Sequence, residues 1–277
     1  MALLQATIFS QSLMRTVNVN VILPLDKLPA PGQAPRQEKP LKTLYLLHGV
    51  FGSYVDWVAG TRIQRYAEAH DLAVVMPSGE NAFYVDQPAG HNFYGEFIGR
   101  ELVELTRRMF PLSRKREDTF IGGLSMGGYG AMRNGLKYSD TFGCIAAFSG
   151  AWDIDQMAAR KENTGSMLTS RSFVEACFGD PDRLPGSDMD PRFLARQLKE
   201  SGKPFPRIYI ACGQSDSLLP ANDHMAAYLK ELGADVTYEV GPGAHEWDFW
   251  DTYVKKAIEW LPTEGSSQGI NSGNVGI

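Results

Sequence analysis

Cysteine is scarce in this chain: Cys144, Cys177 and Cys212 are the only three in 277 residues. Their odd number and wide scatter suit neither a disulfide framework nor a metal-ligand cluster. Each reads as a small buried hydrophobe in a protein of the reducing cytoplasm. Basic residues are also in the minority, 27 Lys and Arg against 32 Asp and Glu, for a net charge of −5. That balance argues against nucleic acid or an anionic membrane as a partner. No apolar run approaches the roughly 20 residues of a membrane span. The opening residues lack the basic segment and unbroken apolar core of a secretory signal. No H-E-x-x-H pattern suggests a metal-dependent hydrolase.

What the chain does hold is the composition of one soluble globular domain, 43% hydrophobic and 21% charged, long enough to bury a full sheet beneath helices on both faces. Alternation at Val17, Val19, Val21 and Leu23 predicts a half-buried, antiparallel entry strand. Short apolar runs at 44–47, 72–76, 119–121, 144–148 and 208–211 predict central strands, and 236–240 a last strand nearer an edge. Helical patterns intervene at 62–69, 97–109, 126–136, 221–232 and 247–260. Strands alternating with helices imply an α/β fold with a mostly parallel sheet covered on both faces. The domain is expected to span 1–262. Residues 150–205 break the rhythm with Gly, Pro and mixed charge and read as a cap with short helices. The polar tail 263–277 reads as disordered.

Gly123-Leu124-Ser125-Met126-Gly127 stands between an apolar run and a helical pattern. In that strand–turn–helix setting G-x-S-x-G acts as a nucleophile elbow. Glycines are required because the serine backbone is strained and its neighbours have no room for a Cβ. A serine nucleophile needs a base, and the base a carboxylate that orients it. His245, in Gly-Pro-Gly-Ala-His-Glu-Trp after the last strand, is placed to be the base. Asp216, in a turn after strand 207–211, is placed to be the acid, whereas Asp223 falls in the next helix and Asp180 in the cap. The Met126 N–H should form one half of an oxyanion hole, and a donor from loop 48–53 the other. His48 itself reads as a loop-stabilising histidine. The aromatics Phe51, Trp57, Phe93, Tyr94, Trp152 and Trp247 are expected chiefly to fill the core and its rim.

Four segments carry a resemblance: H-G-x-x-G-S-x-x-D-W at 48–57, G-L-S-M-G-G-Y-G-A at 123–131, C-G-x-x-D at 212–216 and P-G-x-H-E-W at 242–247. Together they resemble the putative-esterase family of α/β-hydrolases, the group of S-formylglutathione hydrolase (esterase D), the antigen 85 mycolyltransferases and feruloyl and acetyl esterases. Asn81–Asp86 and Phe110-Pro111 look most like its tributyrin-esterase branch of small cytoplasmic carboxylesterases. The resemblance implies an α/β-hydrolase fold, Ser125 as nucleophile, Asp216 as acid, His245 as base, and oxyanion donors at the N–H groups of Val50 and Met126. It implies short-chain acyl esters as substrates, no cofactor, and a dimer or tetramer. S-formylglutathione hydrolase carries S-G-L where this chain has H-G-V, which leaves thioester hydrolysis or acyl transfer as the alternative. A non-catalytic binding protein on the same scaffold is the alternative of another class. The cap, anchored by Trp152, Phe173 and Phe178, is expected to roof a small pocket that favours acetyl-to-hexanoyl esters.

Overall fold

Residues that alternate along the strands sort into two separate cores, one on each face of a sheet. The computed structural model describes residues 1–29, 32, 39–265, 269 and 270. Among these, eight strands form one sheet: β1 (Ala2–Ser10), β2 (Arg15–Leu23), β3 (Lys42–Leu47), β4 (Leu72–Pro77), β5 (Thr119–Leu124), β6 (Cys144–Phe148), β7 (Arg207–Gly213) and β8 (Val236–Gly241). Their order is β1-β2-β4-β3-β5-β6-β7-β8. The pairs β1/β2 and β2/β4 are antiparallel, and β3 to β8 run parallel.

Tyr45, Leu47, Ile121, Ile145, Ala147, Ile208 and Ile210 point to one face, where they join side chains of the helices spanning 94–109, Met126–Lys137 and Leu219–Glu231. Their neighbours Leu44, Leu46, Phe120, Cys144, Ala146, Phe148 and Tyr209 point to the other, against helices Ile63–Ala69 and Trp247–Trp260. The continuous apolar runs arise because both faces are buried. The chain leaves β3 toward β4 but leaves β5 toward β6, so the loops after β3 and β5 part from each other. Such a divergence opens a crevice at the carboxyl ends of the strands, where open α/β sheets bind ligands.

β1 has no counterpart in the predicted strands. It is an edge strand that leaves Leu3, Leu4 and Phe9 exposed, so its residues follow no clean alternation. The strand predicted at 119–121 runs on to Leu124, because Gly122 and Gly123 continue the ladder with β6. Of the tail, residues 266–268 and 271–277 lie outside the described residues. Among the others, Lys39 pairs with Glu264 and Ile270 bridges to Leu28.

Between β6 and β7 the chain forms three α-helices, Ile154–Ala158, Arg171–Phe178 and Pro191–Glu200. Two start on aspartate caps: Asp153 accepts from the Gln156 N–H and Asp190 from the Arg192 N–H, with Pro191 in the first turn. Phe178 tilts against Phe83, ring centroids 4.8 Å apart, and meets Tyr129 edge-on at 5.8 Å. A buried cation ties the segment down from below. Arg133 is fully buried in helix Met126–Lys137. It donates to the Asp188 carbonyl at 3.0 Å and carboxylate at 2.7 Å, and reaches Asp86 at 3.4 Å. Lys137 pairs with the same two carboxylates. Without Arg133 the two carboxylates keep Lys137, and both are partly exposed, so the cost falls short of that of a fully buried broken pair. Arg133→Met is therefore expected to lower the unfolding free energy by about 1–3 kcal/mol in urea titrations; a loss below about 0.5 kcal/mol would show that the network does not hold the segment.

Candidate active site

Ser125 follows β5 directly and adopts φ 54°, ψ −117°, a left-handed conformation that a residue with a Cβ tolerates poorly. The turn is held from several sides. The Ser125 N–H donates to the Phe148 carbonyl at 2.8 Å, and the Ser125 carbonyl accepts from the N–H groups of Tyr129 and Ala151. A Cβ on Gly127 would lie 2.4 Å from the Leu47 carbonyl oxygen, and one on Gly123 would lie 2.4 Å from that of Gly127. The glycines thus let helix Met126–Lys137 start directly against β3, and the hydroxyl emerges at the crevice.

His245 lies between β8 and helix Trp247–Trp260. Its Nε2 is 3.1 Å from Ser125 Oγ and its Nδ1 is 2.9 Å from Asp216 Oδ2. The loops bearing Asp216 and His245 are laced together: Gln214 N–H donates to the Gly241 carbonyl and Ser215 N–H to that of Gly243. Trp250 stands edge-on to the imidazole, centroids 4.9 Å apart at 88°, and fixes the ring's tilt. Asp216 has a side-chain exposure of 0%, against 37% for His245. Burial alone would raise the Asp216 carboxyl's pKa. Hydrogen bonds from His245, the Leu218 N–H and the Ser149 hydroxyl outweigh it and hold the pKa below the ordinary carboxylate value. Ser149, itself at φ 49°, also accepts from Trp250 Nε1 at 3.2 Å.

The other acids lie elsewhere. Asp223 accepts from the Tyr238 hydroxyl and Asp180 caps the Asp182 N–H. Val50 and Met126 line the same cavity as Ser125 and His245. Neither backbone N–H has a protein acceptor among the described residues. For Met126 this follows from its place as the first residue of a helix, where N–H groups point outward unpaired. Unpaired N–H groups beside a serine hydroxyl are what a developing oxyanion requires. The arrangement can therefore remove a hydroxyl proton, attack a carbonyl and stabilise the oxyanion.

The cavity measures about 1060 Å³, so the small pocket predicted for the cap is not what the structure holds. Its walls draw on the cap through Phe173, Val174, Phe178 and Arg160, and on the core through Phe83. Of the six aromatics weighed in the sequence, Phe51 and Trp247 line it. Trp57, Tyr94 and Trp152 are core residues instead, the last donating its Nε1–H to the Ala221 carbonyl. Phe83 and Trp250 were not singled out by sequence. Phe83 lies in the segment 81–86 quoted for the resemblance, the one available signal. The three cysteines are free and buried, and burial pushes the Cys144 thiol up to about 11 and those of Cys177 and Cys212 to about 12. Among the described residues no cluster of three or more His, Cys, Asp or Glu could hold a metal ion, and no helix is long and apolar enough to cross a membrane.

Comparison with known proteins bears on the family. A family model described as "Putative esterase" matches residues 10–260. An acetyl esterase of Caldicellulosiruptor saccharolyticus is 44% identical over 261 residues, covering 94% of this chain and 98% of that protein. Two solved Staphylococcus aureus structures are each 32% identical, covering 94% of this chain and 98% of theirs. They are a fluorophosphonate-binding serine hydrolase F with substrate bound, TM-score 0.81, and an S-formylglutathione hydrolase apoenzyme, TM-score 0.80. With a matching family model across nearly its whole length, the chain belongs to the esterase family and is a carboxylic ester hydrolase of the α/β-hydrolase fold.

Proposed function

We propose that the protein hydrolyses short-chain acyl esters, acetyl esters foremost, through an acyl-enzyme on Ser125. The observation that carries this is the unbroken contact from Ser125 Oγ through the His245 ring to the buried Asp216 carboxylate, beneath two unpaired N–H groups. His245 Nε2 takes the serine proton as Oγ attacks the acyl carbon. The Val50 and Met126 N–H groups receive the charge that forms on the carbonyl oxygen. The tetrahedral adduct collapses when His245 returns that proton to the departing alcohol. Water then attacks the acyl carbon, passing one proton to the same nitrogen; the second adduct collapses as His245 gives that proton to Ser125 Oγ, which releases the carboxylic acid and restores the hydroxyl. Asp216 holds Nδ1–H in place and stabilises the imidazolium of each step.

An acetyl group is favoured by the 44% identical relative described as an acetyl esterase. A cavity of about 1060 Å³ exceeds what such a group fills, and the remainder is room for a bulky alcohol. Thioester hydrolysis is the second reading, supported by the 32% identical S-formylglutathione hydrolase; it uses the same parts, and relative rates on matched esters and thioesters separate the two. The free buried cysteines favour a cytoplasmic location, and a small-molecule ester is the partner proposed.

Four outcomes test the proposal. Ser125→Ala is expected to abolish hydrolysis of p-nitrophenyl acetate with an unchanged melting temperature; turnover near that of the wild type would remove Ser125 from the chemistry. Asp216→Asn should lower kcat by about 10³–10⁴-fold, through the wrong imidazole tautomer, while Asp223→Asn should leave it nearly unchanged. Because the Asp216 carboxyl is held below its ordinary value, it stays charged as the pH falls. The acid limb of kcat/KM should therefore show a slope of about one, for one proton on the imidazole, and a slope of two would contradict that. Finally, Phe178→Ala should shift preference toward longer acyl chains relative to acetate, measured on graded p-nitrophenyl esters. An unchanged profile would remove the cap wall from acyl selection.

A further inference from the structure

The loop after β3 is built around His48, a buried imidazole whose ring nitrogens bond Gly49 and Gly79 and which takes no part in the steps above. Both of its ring nitrogens are spoken for. Nε2 lies 2.8 Å from the Gly79 backbone nitrogen, and Nδ1 lies 2.7 Å from the Gly49 carbonyl oxygen. These two contacts fix the tautomer. A backbone N–H can only donate, so Nε2 must present its lone pair to Gly79. The ring proton is then on Nδ1, where it donates to Gly49 O. Burial pushes the His48 pKa down, which keeps the ring in this neutral form. The loop is fastened again by the Tyr84 hydroxyl, which donates to the His48 carbonyl at 3.0 Å, and by the Gly52 N–H, which reaches Gly49 O at 3.3 Å.

The carbonyl of Gly49 and the N–H of Val50 belong to one peptide unit, and the chain holds no cis peptide among the described residues. In a trans peptide the C=O and N–H point in opposite directions across a rigid plane. Holding Gly49 O toward the His48 ring therefore turns the Val50 N–H away from that ring, and Val50 lines the cavity together with Ser125 and His245. Were that peptide to rotate, a carbonyl oxygen would face the developing oxyanion and repel it.

We propose that His48 is a positioning residue for the reaction: by donating from Nδ1 to the Gly49 carbonyl it sets the orientation of the Val50 oxyanion donor. This rests on the reading of Val50 and Met126 as oxyanion donors, and it adds a function to a ring that otherwise only fills the loop. It also makes the two ring nitrogens unequal. The Nδ1 contact governs the Val50 peptide, whereas the Nε2 contact serves the neighbouring loop at Gly79.

Two substitutions separate those contacts. The side-chain amide nitrogen of His48→Asn can occupy the place of Nδ1 and donate to Gly49 O. The amide oxygen of His48→Gln reaches the place of Nε2 and accepts from Gly79, leaving Gly49 O with only the longer bond from the Gly52 N–H at 3.3 Å. The readouts are kcat and KM on p-nitrophenyl acetate and the inhibition constant of a trifluoromethyl ketone, whose serine adduct carries the oxyanion. His48→Gln is expected to lose about 10²-fold in kcat, the usual effect of one oxyanion donor, with a parallel loss of ketone affinity and KM within a few-fold. His48→Asn should retain activity within about 10-fold of the wild type. Equal or better kcat in His48→Gln than in His48→Asn would overturn the proposal, as would a fall in kcat with ketone affinity unchanged. Nitrogen-15 NMR of the wild-type imidazole needs no variant to fold: a proton on Nδ1 of His48 is expected, and a proton on Nε2 would refute the assignment. A wild type that neither hydrolyses the ester nor binds the ketone would instead refute the esterase reading itself.

Discussion

Between β5 and helix Met126–Lys137 the backbone reverses through one strained residue, Ser125 at φ 54° and ψ −117°. Strain of this kind costs on the order of 1–3 kcal/mol and persists only where the surroundings leave no alternative. Here the surroundings are the ends of β3 and β6: Phe148 takes the Ser125 N–H, and the carbonyls at Leu47 and His48 press against Gly127. One constraint thereby settles three things. It raises the serine hydroxyl out of the sheet, aims a helix N-terminus at the crevice, and sets the helix so close to β3 that the loop carrying Val50 lies beside it. The sheet supplies the stiffness that keeps this geometry.

The polar groups around the hydroxyl follow an order set by burial. Asp216 is fully enclosed yet charged, since three hydrogen-bond donors compensate its lost hydration. His245 sits between that carboxylate and the cavity, and Trp250 backs both of them through its contacts with the imidazole and Ser149. Farther out, the cap brings aromatic side chains to the wall, while Arg133 beneath it satisfies Asp188 and Asp86. The cavity wall is mainly apolar, and the proposed oxyanion donors Val50 and Met126 belong to its lining.

Much of this was legible in the sequence because sterics leave marks. Gly123 and Gly127 are written into the chain by backbone contacts that admit no side chain, and the order serine, aspartate, histidine follows the strands that carry them. The central strands were plain for a similar reason, being apolar on both faces. Where one face is solvent the signal fades, and β1 was missed. Contacts distant in sequence leave no local pattern at all. Arg133 meets Asp188 across 55 residues, and His48 meets Gly79 across 31. Phe83 and Trp250 reach the site only through the fold. Trp152 behaves as expected of a core aromatic, packed and bonded to the Ala221 carbonyl, and it does not line the cavity.

The central claim is that carbonyl chemistry passes through a covalent ester on Ser125. Rapid acid quenching of the wild-type protein during turnover of p-nitrophenyl acetate, followed by peptide mapping by mass spectrometry, tests it most directly. The account predicts an acetyl group on the peptide containing Ser125, forming and decaying at rates that match kcat. An acetyl group on another side chain with that kinetic competence, or steady turnover with no acyl-enzyme and one-step release of product by water, would contradict it.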